Sequence, residues 1–440
     1  MEIYVHIPFC VRKCRYCDFY SLPCGSPAIF GCDGPKTRVP LPKTGDYVKA
    51  ILKELDARED EIRGKEITSI FIGGGTPTIL PVSELEMQLM GLKDGIERRG
   101  GMLTEGAEIT VECNPGTLDK EKLTIMRQLG VNRLSIGLQS ADNKELAALG
   151  RIHTYEEFLK NYEEARKIGF DNINIDLMSG IPGQTAASCE RTLNTVAGLD
   201  PEHISVYSLI LEEGTPLYDD VEVGKVRLPG EDFDRDMYDL TGQILAAHGY
   251  ERYEISNYAK PGRRCRHNMG YWTGEEYLGL GSAAASYLRP VVKLQPDHGS
   301  ETSLTNKNSY DITPVGLPRE DQKRESSEIT VGKKDSFNMY RYKNPADLKA
   351  YMSDPAGVRV LEETLDREAL MSEFMILRLR LTEGADRDEF KKRFGVPMDE
   401  VFGDIIKRYK GLGLMEDKGD CIALTSKGFD VANSVMCEFM

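Results

Sequence analysis

The chain has 440 residues, of which 40% are hydrophobic and 29% charged, the balance of a soluble globular protein with room for two or three domains. Its formal net charge of −15 argues against a general nucleic-acid binder. No apolar run reaches the about eighteen residues of a membrane span, and a first strand this close to the N-terminus leaves no room for a signal peptide. The ten cysteines, with no secretion signal, read as thiols of a reducing cytoplasm and not as a disulfide framework.

Residues 3–7 read as a short buried strand ending at Pro8. The strand runs into Cys10-Val-Arg-Lys-Cys14-Arg-Tyr-Cys17, with three thiols spaced by three and then two residues. Structural zinc sites take four protein ligands, so a zinc knuckle here needs a distant fourth. Soft thiolates this dense otherwise suit an iron–sulfur cluster. A four-iron cube held by three cysteines leaves one iron without a protein ligand. The run, with the aromatic Tyr16 before its last cysteine, resembles the signature of the radical SAM superfamily. That resemblance implies a [4Fe-4S] cluster on Cys10, Cys14 and Cys17, with S-adenosylmethionine (SAM) on the open iron. An electron passed from the cluster to the sulfonium then makes a 5′-deoxyadenosyl radical.

Residues 21–45 are rich in Gly, Pro and Ser and read as a surface loop. Its Cys24 and Cys32 are incidental thiols or a second metal site. Val48, Ile51, Leu52 and Leu55 predict a helix over about Tyr47–Arg63. A strand from Ile67 to Ile72 then meets Gly73-Gly74-Gly75-Thr76-Pro77, where glycine allows backbone to approach a ligand. The alternation continues with helix Ser83–Arg98, strand Ile109–Glu112, helix Lys120–Leu129, strand Arg133–Gly137 and helix Tyr155–Ile168, N-capped by Thr154. Strand Asn172–Asp176, helix Ala187–Ala197 and strand His203–Ser208 follow. Six strand–helix units predict parallel strands with right-handed crossovers, an α/β partial (β/α)6 barrel, which the resemblance also implies. Ligands bind such folds at the C-terminal ends of the strands. The three cysteines, the Gly73 loop, Glu112, Gln139 and Asp176 fall there.

Gly130-Val-Asn-Arg-Leu-Ser-Ile-Gly-Leu-Gln-Ser140 and Leu149-Gly-Arg-Ile-His153 resemble the coproporphyrinogen III oxidase-like family within that superfamily. From this resemblance Tyr4, Tyr16, Gly74, Gly75, Thr76, Glu112, Gln139, Arg151 and Asp176 are implied SAM contacts, with Ile210 and Ala285 matching more loosely. Arg151 has the planar fork that pairs with a carboxylate. The oxidases usually carry another cysteine two residues after the third, where this chain has Phe19, and a longer segment before the motif.

Further on, Cys265-Arg-His267-Asn268-Met-Gly-Tyr271-Trp272 resembles the HNxxYW element of HemW-type heme chaperones. His267 is therefore a candidate axial ligand of heme iron, with Cys265 a second. The alternative is a hydrogen-bonded His267 anchoring its loop against Trp272.

These readings divide the chain into a core over 1–289, a polar insertion or linker over 290–340 and a C-terminal domain over 341–440. Helices at Ala369–Arg378, Arg387–Phe394 and Asp399–Lys410 and a strand at 421–425 predict a mainly helical, winged-helix-like domain. Its mixed charge favours protein docking or a substrate lid over DNA. The function implied is a heme chaperone that binds the cluster, SAM and heme and serves a heme-acceptor protein, with an electron donor as a further partner. The alternative is oxygen-independent coproporphyrinogen III oxidase, and behind it a methyltransferase or other radical transformation, or a structural zinc protein. Whether the chain is an enzyme is left open by these residues.

Overall fold

The computed structural model describes residues 1–24, 43–290 and 338–440. Cys32 and nearly all of the 290–340 segment lie outside the described residues.

Six parallel strands form the centre: β1 (Glu2–Ile7), β2 (Glu66–Gly74), β3 (Met102–Cys113), β4 (Arg133–Gln139), β5 (Ile173–Ser179) and β6 (His203–Ser208). Their odd-and-even pattern explains how they pack. Ile3, Val5 and Ile7 alternate with Glu2, Tyr4 and His6, and Ile173, Ile175 and Leu177 with Asn174 and Asp176. Successive side chains point to opposite faces of a strand. The apolar set is buried in one large core beneath helices α1 (Thr44–Asp56), α2 (Val82–Arg98), α3 (Lys120–Gln128), α4 (Asn143–Leu149), α5 (Tyr155–Ile168) and α6 (Ala186–Ala197). The polar set faces the concave side. The helix stops are local. Thr154 and Glu157 make a capping box at the start of α5, and Gly169, at φ 101°, ends it, a left-handed conformation that glycine adopts without a Cβ clash.

Further elements complete the sheet: α7 (Pro216–Glu222), α8 (Glu231–Ala247), β7 (Glu251–Arg252), β8 (Asn257–Ala259), α9 (Arg266–Thr273), β9 (Tyr277–Leu280), β10 (Ala285–Leu288), β11 (Met339–Lys343) and β12 (Val360–Leu365). The strand order is β12-β11-β10-β9-β1-β2-β3-β4-β5-β6-β8-β7. β9 is parallel to β1 and all the outer pairings are antiparallel. The result is an open, partial α/β barrel of twelve strands.

One expected helix is two. α1 stops at Asp56 and a separate turn of helix covers Glu59–Ile62. At the break Arg58 is buried against Glu54, and Ile62 is the only large apolar residue over 57–63 left to bury. Glu54 also accepts from the Gly281 amide, from Asn344 Nδ2 and from the Tyr351 hydroxyl, at 2.8–2.9 Å. These bonds fasten the segment after β11 to α1.

A second core gathers the residues from Leu365 onward against Tyr287 of β10 and Met339 of β11. It holds α10 (Arg367–Arg378), α11 (Arg387–Phe394), α12 (Met398–Gly411) and a small antiparallel sheet of β13 (Ala385–Asp386), β14 (Met415–Lys418) and β15 (Cys421–Leu424). This is the helical, winged-helix-like arrangement.

Candidate functional site

The cysteine loop leaves β1 at Pro8 and is fixed along its length. Residues Phe9–Cys10 pair with Leu22–Pro23 as a two-stranded ribbon, and the Cys24 amide donates to the Cys10 carbonyl at 2.7 Å. The Gly75 and Thr76 amides donate to the Ile7 and Phe9 carbonyls, each at 2.8 Å, which ties the glycine run to the base of the loop. The end of α4 grips the other side. Arg15 N donates to the Leu149 carbonyl at 3.1 Å and Arg12 Nη2 to the Gly150 carbonyl at 2.6 Å. Arg15 also pairs with Asp220 of α7.

The thiols of Cys10, Cys14 and Cys17 are half-buried and free. Cys10 Sγ lies 3.5 Å from Thr76 Oγ1. Arg151 donates from Nη1 to Cys14 Sγ at 3.4 Å and from Nη2 to the Gly137 carbonyl at 2.6 Å, so a guanidinium joins the loop to the end of β4. Burial raises the Cys10 and Cys17 thiols above their ordinary pKa, a cost that a metal bound to the sulfur would offset. Among the described residues no group of three His, Cys, Asp or Glu side chains could hold a single metal ion. Three soft donors on one loop, with the basic Arg151 beside them, fit a larger sulfur-bridged group whose irons they would bind one apiece.

The glycine run owes its composition first to its neighbours. A Cβ on Gly74, at φ 101°, would lie 2.4 Å from the His6 ring, and one on Gly75 would lie 2.7 Å from the Phe9 carbonyl oxygen. Protein packing alone therefore demands glycine at these two positions, whether or not a ligand approaches. Gln139 has φ 77° at the end of β4, where the register with β5 slips between Gly137 and Gln139.

The polar strand faces border a cavity of about 180 Å3, lined by Tyr4, Glu112, Arg133, Asp176, His267 and Tyr271 among others. Glu112 accepts from the Gly74 amide at 3.0 Å. Burial, then the nearby Asp176 charge, raises its carboxyl to about 7. Asp176 is not at a strand end as expected: β5 runs on to Ser179, and the side chain lies deeper. It accepts from Asn174 Nδ2 at 2.7 Å and Ser135 Oγ at 3.1 Å, while Asn174 accepts from His203 and Ser205. Burial raises the pKa of Asp176 too. Tyr16 is also raised by burial, against the opposing pull of Arg151. Ile210 is exposed and is not in this lining, and Ala285 lies on β10.

Helix α9 carries the His267 motif into the base of this cavity. His267 is only 1% exposed, with Nδ1 2.8 Å from Ser69 Oγ and Nε2 3.0 Å from the Tyr271 hydroxyl. Its ring stacks on Phe71 at 5.1 Å. Burial, then the Arg133 charge, lowers its pKa to about 3, so it is neutral. Both nitrogens are engaged within the fold. Cys265 is fully buried, with its thiol 3.5 Å from Glu108. Trp272 is not the partner of His267; it lies under the guanidinium of Arg380, two residues past α10, 4.2 Å from the ring centre.

Sequence reasoning missed Arg133, Ser135, Asn174, Ser205 and Tyr207, which line the cavity. Their signal was the alternation within β4, β5 and β6.

The open barrel, the cysteine loop and the polar cavity define a radical SAM protein. The Radical SAM superfamily pattern matches residues 4–196 and the HemN C-terminal domain pattern residues 365–431. Members of that superfamily carry a [4Fe-4S] cluster and SAM. The chain is 33% identical over 440 residues to the heme chaperone HemW of Bacillus subtilis, covering 99% of this chain and 98% of the relative. It is 38% identical over 284 residues to that of Escherichia coli, covering 64% and 69%. Among solved structures, coproporphyrinogen III oxidase from E. coli matches with a TM-score of 0.72 at 21% identity, over 100% of this chain and 89% of that one, a likeness of fold. The chain belongs to the HemW family. Among the described residues no helix is long and apolar enough to cross a membrane.

Proposed function

We propose that this chain is a cytoplasmic heme chaperone that carries a [4Fe-4S] cluster on Cys10, Cys14 and Cys17 and SAM beside it, and hands heme to an acceptor protein. The observation that supports it most is the junction at Arg151, which brings the cysteine loop, the end of α4 and the end of β4 to one place. When bound, the cluster would supply one electron to SAM. The chain's own residues hold and orient. Arg151 steadies Cys14 and offers its fork to a carboxylate. Glu112, near neutral charge balance at pH 7, can accept from a cationic or hydroxylated group, and Asp176 can accept from hydroxyls. Tyr4, Tyr16, Gly74, Gly75, Thr76 and Gln139 complete the border. His267 serves as a strut of the barrel floor in this reading. The working division of the chain falls near Asp366, because β11 and β12 belong to the main sheet.

The test is anaerobic. Reconstitution with iron and sulfide should give a brown chromophore with about four irons per chain, and hemin should transfer from the loaded protein to an acceptor apo-protein. Incubation with coproporphyrinogen III, SAM and a reductant should yield no protoporphyrinogen. Its formation would replace the chaperone by the oxidase, against which Phe19 stands. A colourless product that holds zinc would end both readings.

A further inference from the structure

A second cavity, of about 410 Å3, opens beside the cysteine loop, a size within the usual range for small-molecule sites. Tyr4 and Tyr271 line both this cavity and the polar one, and so form the partition between them. Its wall is aromatic on Tyr4, Tyr20, Tyr271 and Tyr277 and small on Ala283, Ala285 and Ala346. Phe19 stands at the lip, 71% exposed, a large ring left in water where burial would be favourable.

The rings are held before any ligand arrives. Tyr4 donates to His6 Nδ1 at 2.9 Å, and His6 Nε2 donates to the Tyr20 carbonyl at 2.8 Å. The Tyr20 hydroxyl accepts from the Leu348 amide at 2.9 Å. Tyr271 and Tyr277 meet edge to face at 4.7 Å. Fixed aromatic faces with methyl-sized neighbours favour a flat, apolar ligand, which stacks without ordering cost to the protein. Lys343, paired with Glu362 at 3.8 Å, supplies a cation on the same lining and Asp18 an acid; the lysine is the group suited to a carboxylate at the ligand's edge.

We propose that this cavity seats a tetrapyrrole, gripped by its ring faces and not by a protein ligand to its iron; this rests on the heme-handling reading above. The iron is left out because, among the described residues, His6 on this wall and His267 behind it spend both ring nitrogens on protein partners, the Tyr4, Tyr20 and Tyr271 hydroxyls are hydrogen-bonded within the fold, and burial raises the Tyr277 phenol, which disfavours a phenolate ligand. Cys265 is fully buried against Glu108. The competing occupant is SAM, since Tyr4 and, more loosely, Ala285 on this wall match SAM-contacting positions.

Trp272 is the single tryptophan and follows Tyr271 in the chain, so its fluorescence reports the ligand by quenching. The full chain is titrated anaerobically with hemin and with metal-free protoporphyrin IX. The two should bind with affinities within about threefold of each other. Ala285→Phe, which fills the cavity without adding a second tryptophan and is checked for native circular dichroism, should weaken both by about tenfold or more. Phe19→Ala, at a site too exposed to unfold the chain, should weaken both several-fold. Hemin binding without protoporphyrin binding would overturn the proposal, as would unchanged affinities in both variants or displacement of protoporphyrin by added SAM. Quenching by neither ligand in the wild type would remove the heme-handling reading itself.

Discussion

His267 decides between a heme ligand and a strut, and replacing it separates the two. The wild-type ring fills buried space against Phe71 and bridges Ser69 and Tyr271. In His267→Phe the ring packing stays, but two hydrogen bonds go and the buried Ser69 and half-buried Tyr271 hydroxyls lose a partner. Each orphaned group costs about 1–3 kcal/mol, partly relieved by rotation of the hydroxyls, so a loss of about 3 kcal/mol is expected. His267→Ala adds the emptied ring volume, for which large-to-small core changes lose about 3–5 kcal/mol, and should cost more than the Phe variant. Urea unfolding of the unloaded chain under reducing conditions measures both, and the absorption spectrum of the hemin complex measures ligation. The strut reading expects a lowered urea midpoint with the Soret band in place in whatever fraction remains folded. A wild-type midpoint in His267→Phe, together with loss or displacement of that band, would refute it.

Three further outcomes follow from the same geometry. The folded Glu112 carboxyl, at about 7, lies above its ordinary 4.5, so the folded chain binds this proton more tightly than the unfolded chain. Its contribution is complete below about pH 4.5 and is lost as pH rises to about 7, a total of about 3 kcal/mol. The stability difference between wild type and Glu112→Gln should therefore change with that sign between pH 5 and 8 in urea titrations; a pH-independent difference would contradict it. Arg151 donates a charged hydrogen bond to Cys14 Sγ, and such bonds to cluster sulfurs help set potential. Arg151→Gln should shift the reconstituted cluster to a more negative potential in an EPR-monitored titration, with Arg151→Lys in between, and identical midpoints would count against the contact. Gly74→Ala would drive a methyl into His6 at a left-handed φ. It should cost about 2 kcal/mol or more and lower iron content after reconstitution, whereas Gly64→Ala, with nothing near its Cβ, should suffer only the backbone cost.

The parallel core was legible because each of its strands carries large apolar residues, alternating with polar ones in β1 and β4 to β6, and is bounded by a turn and followed by a helix pattern. Boundaries agreed where a cap wrote them, as at Thr154 and Gly169. They failed where charge hid a break, as between Asp56 and Glu59. The outer strands, antiparallel except where β9 joins β1, were not legible. β7 to β12 are short, and β11 and β12 sit in the sheet because Glu54, Asn344 and Tyr351 meet in a buried network whose members lie about three hundred positions apart in the chain. No local pattern encodes that meeting.

At the site, motif spacing located the cysteine loop, but it could not tell a ligand-facing glycine from one pressed against His6. The same limit applies to the histidine motif. His267 among aromatic residues reads equally as a ligand or as a packed ring, and only the positions of Ser69 on β2 and Tyr271 one helical turn away distinguish them. The polar faces of β4 to β6 carry a different lesson. A parallel strand covered on both sides should read as continuously apolar, yet Arg133, Ser135, Asn174, Asp176, His203 and Ser205 interrupt the apolar runs at every second place. Six such interruptions on adjacent strands cannot be buried singly at acceptable cost. They can be buried together, bonded to one another around a cavity, and so the alternation itself implies an interior that is polar by construction.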